Sequence, residues 1–224
     1  MAQIHDITAT PAGDLILSPD HTRSTGLHVS TVIQDICLDL GYLKRNDQGQ
    51  IQDPDRIPVD GLTIRDPNPT TVFPPEVVRK IVLGLAWEEW LAPANPHISY
   101  HLGEMELDGI VGTPDGLSTP PPPHRAIVIH EFKLTWKSCR HKTPLECPWW
   151  AMQAKAYCAM MGTHIVQWHV YYVCGDYNYP LQPQYRVYWA VFERQEIIDN
   201  WRMIHTYATK HYGLKTKLTK ELFA

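Results

Sequence analysis

The feature that most constrains this chain is the run Ala126-Ile127-Val128-Ile129-His130-Glu131-Phe132-Lys133, apolar enough for a strand covered on both faces yet carrying an acid and a base. Side chains alternate along a strand, so Ile127, Ile129, Glu131 and Lys133 share one face, and Val128, His130 and Phe132 share the other. Glu131 and Lys133 therefore point the same way. A carboxylate and an ammonium in such a place are strongly penalised by desolvation unless something compensates them.

Upstream, across Pro120-Pro121-Pro122-Pro123, lies the turn Thr113-Pro114-Asp115-Gly116-Leu117, which brings a second carboxylate to the end of a neighbouring element. A divalent cation held by Asp115 and Glu131 would account for both acids, because Mg²⁺ is a hard ion that takes oxygen ligands and keeps waters. Lys133 would then hold a water or a phosphate. An isolated Glu-x-Lys reads better as a solvent-facing pair at a strand end; its neighbours set this one apart. They are the Pro-Asp-Gly turn before it, Gln153-Ala154-Lys155-Ala156-Tyr157 after it, and Gly84-Leu85-Ala86-Trp87-Glu88 ahead of both.

A chain of 224 residues with 44% hydrophobic content suits one well-buried core, so a single decorated domain is expected over 1–224. Its core is expected over about 75–209, with a loop-rich insertion over about 44–74 where Asp, Pro and Gly gather. The net charge of -4 does not advertise nucleic-acid binding, but net charge describes the whole surface and not a groove. Two basic clusters stand out: Lys133, Lys137, Arg140, His141 and Lys142, then Lys210, His211, Lys215, Lys217 and Lys220. Either could meet phosphates, and the second reads equally well as a solvated face.

Five cysteines without a Cys-x-x-Cys pair point to a reduced, cytoplasmic protein. Cys139, His141 and Cys147 lack a fourth zinc ligand at the usual spacing. The start lacks an export pattern, and no stretch is long enough to span a bilayer, so no membrane association is expected.

Periodicity predicts a helix over 28–40 ended by Gly41, a helix from Pro75 to about Leu91, and strand material over 98–111. It predicts a second strong helix over 149–161 stopped by Gly162, strands over 165–173 and 185–192, and a last helix over 194–209. Residues 4–17 read as a short strand or arm, and residues 62–64 as a brief extended piece. The order implies an α/β (α+β) fold, a central mixed sheet flanked by helices.

Pro114-Asp115 followed by Glu131-Phe132-Lys133 resembles the PD-(D/E)xK nuclease superfamily. Gly84 to Glu88 resembles its early Gly-x-x-x-Glu helix motif. Gly112 to Leu117 resembles the aspartate motif of phage lambda-type exonucleases, and Gln153 to Tyr157 the Gln-x-x-x-Tyr motif of RecB-like nucleases. The resemblance runs from about Pro75 to Val173. It implies a restriction-endonuclease-like core in which Asp115, Glu131 and the backbone carbonyl of Phe132 ligate one or two Mg²⁺ or Mn²⁺ ions. Glu88 would help hold a metal or its water shell, Lys133 would orient the attacking water, and Gln153 and Tyr157, on one helix face, would steady the lysine and a phosphate. Asp108, on the preceding strand, competes with Asp115 for the ligand role. Relatives with an iron–sulfur cluster use cysteines clustered near the C-terminus, so no cluster is expected here.

The activity so implied is a metal-dependent DNA exonuclease of phage or mobile-element recombination or end processing, acting on linear duplex or single strands. A structure-selective or nicking endonuclease of the same fold, and a catalytically silent nucleic-acid binding module, are the alternatives. Lys137, Arg140 and Lys142 are the expected phosphate contacts, with Trp136 as a base-stacking candidate beside Trp149 and Trp150. Ser30 is a further DNA-contact candidate, for which helix capping is the competing explanation. His101 is a candidate near the metal or a structural histidine. A recombinase or annealing protein is an expected partner, and a homo-oligomer is compatible with the sequence.

Overall fold

A computed structural model describes residues 26–45, 95–100, 103–119, 126–140, 143–219 and 222, together with two-residue strands at 8–9, 15–16, 51–52, 64–65 and 72–73. The chain divides into two compact units, one of residues 1–25 and 57–96, the other of residues 26–56 and 97–224.

In the first unit, Thr8–Ala9, Leu15–Ile16, Ile64–Arg65 and Val72–Phe73 form a four-stranded sheet in that order. The arm expected over 4–17 is thus a tight antiparallel pair, and the extended piece expected near 64 is its parallel neighbour. The helix expected from Pro75 lies outside the described residues.

The second unit is built on a five-stranded mixed sheet ordered Gln184–Val191, Ile165–Tyr172, Val128–Thr135, Gly116–Ser118, Ser99–Tyr100. Val128–Thr135 and Ile165–Tyr172 run parallel, and every other pairing is antiparallel. A parallel pair needs a crossover, here the helix Pro148–Met161. Proline at its first position and Gly162 in the left-handed conformation (φ 63°) after it fix both ends. The fold is therefore mixed α/β, as the order of elements implied.

Ile129, Val166, Trp168 and Val170 point to one side of this sheet and are buried there with the helices. The last helix, Arg194–Tyr212, buries Ile197, Trp201, Ile204 and Ala208, a stripe at helical spacing. Val29–Asp39 adds Val29, Val32, Ile33, Ile36 and Cys37 to the same core. Its N-cap is His28, so Ser30 lies inside the helix and does not cap it.

The strand material expected over 98–111 is resolved into Ser99–Tyr100 and a hairpin, Met105–Leu107 with Ile110–Gly112, whose turn is Asp108-Gly109. Both turn residues have positive φ, which explains an Asp-Gly pair at this point. Leu27–His28 joins Ile110–Gly112 as a parallel third strand. Gly116 and Leu117, in the turn expected around Asp115, form with Ser118 a strand of the main sheet.

Candidate active site

The central strand delivers Glu131 and Lys133 to the helix-facing side, two residues apart and therefore on one face. Lys133 Nζ donates to Glu131 Oε2 at 2.6 Å and lies 3.7 Å from Asp115 Oδ2. The Glu131 side chain is fully buried, and those of Lys133 and Asp115 are 14% and 19% exposed. Glu131 Oε1 is buried with no hydrogen-bond partner among the described residues.

Asp115 is placed by the backbone. Phe132 N–H donates to its Oδ2 at 2.7 Å. The register that pairs Gly116 with His130 puts Pro114 opposite Phe132, just past the end of the Gly116–Ser118 strand. The Phe132 amide therefore has no ladder partner on that side and is taken by the aspartate. In a strand the N–H and C=O of one residue project to the same edge, so the Phe132 carbonyl faces the Asp115 turn as well.

Two glycines let the turn sit where it does. A Cβ on Gly112 would come within 2.8 Å of Met160 Sδ and 2.9 Å of Tyr157 Cε1; on Gly116 it would come within 2.7 Å of Ile98. Gly112 therefore allows the Pro148–Met161 helix to close on the aspartate turn. In the sequence Gly112 stands only as part of the aspartate motif, with no local signal of this task. From that helix, Gln153 Nε2 donates to the Tyr157 hydroxyl at 3.0 Å, and Tyr157 is buried.

Electrostatics tie these groups together. Burial raises the Glu131 carboxyl and Asp115 raises it further, against the lowering effect of Lys133. Burial alone would lower the Lys133 ammonium, but Glu131 and then Asp115 overcome it and hold the group well above the usual lysine range. Burial also raises the Tyr157 phenol, and the charges of Glu131 and Asp115 add to the effect, so it stays a neutral donor.

Carboxylate oxygens suit a hard divalent cation, and the buried, unpartnered Glu131 Oε1 is the kind of atom such an ion satisfies. Among the described residues no group of three or more His, Cys, Asp or Glu side chains gathers, so the site there has two acids. Glu88 and His101 lie outside the described residues, as does Lys142.

The competing acid, Asp108, is engaged elsewhere. Its carboxylate accepts from Trp201 Nε1 at 2.8 Å and from the Thr219 amide at 3.1 Å and hydroxyl at 2.5 Å. Of the expected nucleic-acid contacts, Lys137 lies over the Trp149 ring at 5.3 Å and Arg140 pairs with Asp176 at 2.6 Å. Trp136 is half-buried, and its carbonyl accepts from the Tyr177 hydroxyl; Trp150 is buried. Ser30 is half-buried on the first helix.

Two features escaped sequence reading. Trp168 stands beside Glu131 in the register, fully buried, with an indole N–H that has no partner among the described residues. On the opposite sheet face a polar chain runs Ser118 Oγ, His130 Nε2 (2.7 Å), His130 Nδ1 to His169 Nε2 (2.9 Å), His169 Nδ1 to the Tyr185 hydroxyl (2.5 Å). Burial lowers both imidazoles, His130 to about 3 and His169 to about 4, so both are neutral. Only strand register brings these residues together; their spacing along the chain carries no signal.

No protein-family profile matches the chain, and no curated protein matches it. Among solved structures it is similar to a phage-related exonuclease from Haemophilus somnus 129PT, at 11% identity over 86% of this chain and 96% of that one, with a TM-score of 0.45. It is similar to LHK-Exo in complex with dAMP at 12% identity, over 84% of this chain and 88% of that one, TM-score 0.44. A further structure of LHK-Exo, an alkaline exonuclease from Laribacter hongkongensis, matches at 14% identity over 61% of this chain and 69% of that one, TM-score 0.40. The likeness to SSO0001, at 14% identity and TM-score 0.38, takes in 59% of this chain and 61% of that one, less than two thirds of its length.

Proposed function

We propose that the protein is a divalent-metal-dependent deoxyribonuclease that works from DNA ends, an exonuclease. The observation that carries this reading is one ammonium, Lys133, set against two carboxylates, Glu131 and Asp115, with a buried Glu131 oxygen left unpaired among the described residues. A structural ion pair has no use for the second acid or the orphaned oxygen. A phosphodiester-cleaving site uses both.

In this reading Asp115, Glu131 and the Phe132 carbonyl would hold Mg²⁺ or Mn²⁺, one ion or two; Glu88, the further ligand that the resemblance implies, lies outside the described residues. The bound ion supplies Lewis acidity toward the phosphate and acidifies water. Lys133, with three donors, keeps one on Glu131 and presents the others to the attacking water or the scissile phosphate. Tyr157, kept neutral and oriented by Gln153, donates toward the same region. Lys137, Arg140 and Lys142 meet the DNA backbone, Trp136 stacks on a frayed base, and Ser30 contacts DNA from the first helix. The phage or mobile-element setting, with a recombinase or annealing protein as partner, belongs to the same reading.

Retention of Asp115, Glu131 and Lys133 together favours an active enzyme over a silent binding module. The test is digestion of end-labelled linear DNA and closed circular DNA with Mg²⁺, Mn²⁺ or EDTA, with Lys133→Ala and Asp115→Ala as controls. Loss of linear DNA alone is the expected result. Cutting of circles would replace it with the endonuclease reading, and metal-independent or absent cleavage would overturn both.

A further inference from the structure

Gln184–Val191 is the edge strand of the main sheet: eight residues long, regular, and paired on one side only with Ile165–Tyr172 among the described residues. Beyond its end, Phe192 N donates to His164 O, and the register pairs Val191 with Ile165. Hydrogen-bonded and non-bonded pairs alternate along an antiparallel ladder, so the backbone N–H and C=O of Val187, Trp189 and Val191 point away from the sheet. The side chains of the same residues are exposed: Val187 by 41%, Trp189 by 59%, Val191 by 68%.

Natural edge strands are blunted by lysine, proline or a bulge. This one has an unbroken register, and its one charge, Arg186, lies on the opposite face, where it donates to the Cys139 carbonyl and Gln184 Oε1. The exposed row is Tyr185, Val187, Trp189 and Val191, and the preceding loop adds Leu181 at 51% and Tyr179 at 94% exposure. Along the strand this row makes an exposed, mainly apolar stripe beside the open edge, which edge-to-edge pairing would continue into a second copy.

We propose that two copies of this chain pair through this strand, antiparallel and edge to edge about a two-fold axis near Tyr188, joining two five-stranded sheets into one. The sequence is self-complementary in that register. Val187 falls opposite Trp189 of the second copy and Tyr185 opposite Val191, so each aromatic side chain meets a β-branched one. Arg186 falls opposite Ala190 and not opposite its own equivalent. Such a contact is isologous and closes at two copies. A single-stranded nucleic acid is the weaker occupant, since the exposed row carries no cation to meet phosphates. The inference does not depend on the nuclease reading.

The test is sedimentation velocity and light scattering on the full chain at micromolar concentration, with hydrogen exchange on the same samples. Wild type is expected at twice the 25.7 kDa chain mass, and Val187→Lys/Trp189→Lys at the chain mass, with thermal unfolding within a few degrees of wild type. The Val187, Trp189 and Val191 amides are expected to be protected in wild type and to exchange freely in the variant. Should the double lysine variant fail to fold, Trp189→Thr keeps the strand preference while weakening the contact, and the wild-type exchange pattern stands without any variant. A monomeric wild type, a trimer, a dimer indifferent to these substitutions, or fast exchange of the three amides in the dimer would overturn the proposal. So would single-stranded DNA binding that the variant loses while both proteins stay monomeric.

Discussion

The ammonium of Lys133 lies 2.6 Å from Oε2 of Glu131, an ion pair whose acid is wholly buried and whose base is nearly so. Removing the base leaves an uncompensated charge in the core, which costs about 3–5 kcal/mol, whereas replacing both partners costs much less. Lys133→Met is therefore expected to lower stability sharply and Glu131→Gln/Lys133→Met to recover most of it, read as urea midpoints at neutral pH. Both variants are expected to lose at least ~100-fold in DNA cleavage. Equal stability of the single variant and wild type would show that the pair is not buried as described.

The orphaned Glu131 oxygen gives a second prediction that needs no substrate. Mg²⁺ or Mn²⁺ is expected to raise the thermal midpoint of wild type and EDTA to reverse it, because a ligand that binds only the folded state stabilises it. Asp115→Ala is expected to lose the shift. Scanning fluorimetry with Ca²⁺ as a comparison reads it directly, and a metal-independent midpoint in wild type would remove the ion from the site.

Gly112 is predicted to be intolerant of any side chain. Its Cβ would fall 2.8 Å from Met160 Sδ, so Gly112→Ala is expected to cost roughly 1–3 kcal/mol of stability and to displace the helix that carries Gln153 and Tyr157. Gly112→Ala combined with Met160→Ala is expected to regain part of that loss; the Tyr157 ring still crowds the position. A neutral single substitution would show that the helix does not approach this closely.

Asp108 sets an acid limit on stability. Burial alone would raise its carboxyl, but the hydrogen bonds from Thr219 and Trp201 hold it below its ordinary value of 3.8. A group depressed in the folded state stabilises the protein above its unfolded pKa, and the contribution fades as pH falls through the folded value. The loss is therefore expected below about pH 4. Asn tolerates the positive φ at this position, so Asp108→Asn removes the charge, together with one acceptor, without backbone strain. The variant is expected to be less stable than wild type at pH 7, with the gap narrowing as pH falls below 3.8 through the folded value, measured by urea unfolding.

What could be read from the sequence was what local rules dictate. Gly162 ends its helix because a left-handed residue is needed there, and the central strand is announced by its own apolar run. Glu131 and Lys133 share a face by strand periodicity alone, and Gln153 and Tyr157 by helical spacing. Gly116–Ser118 was missed because three residues are too few to show a period, and the turn signal around Asp115 masked them. The separation of Asp108 from Asp115 could not be read either. It depends on Trp201 and Thr219, 93 and 111 residues away in sequence, reaching back to the hairpin turn. The His130 and His169 pair likewise exists only once two strands find their register.

The bond from the Phe132 amide to Asp115 makes the candidate site a gauge of how the sheet has been assembled. That amide is available to the aspartate only because the neighbouring strand stops two residues short of it. A slip of one residue between the two strands would turn Glu131 and Lys133 away from the helices, and a slip of two would cover the amide with a ladder partner. In either misassembled sheet the two acids would no longer converge. If the proposed nuclease reading holds, chains that fold incorrectly would thus be catalytically mute instead of promiscuous, so a misfolded copy would be a loss of activity and not a hazard to DNA.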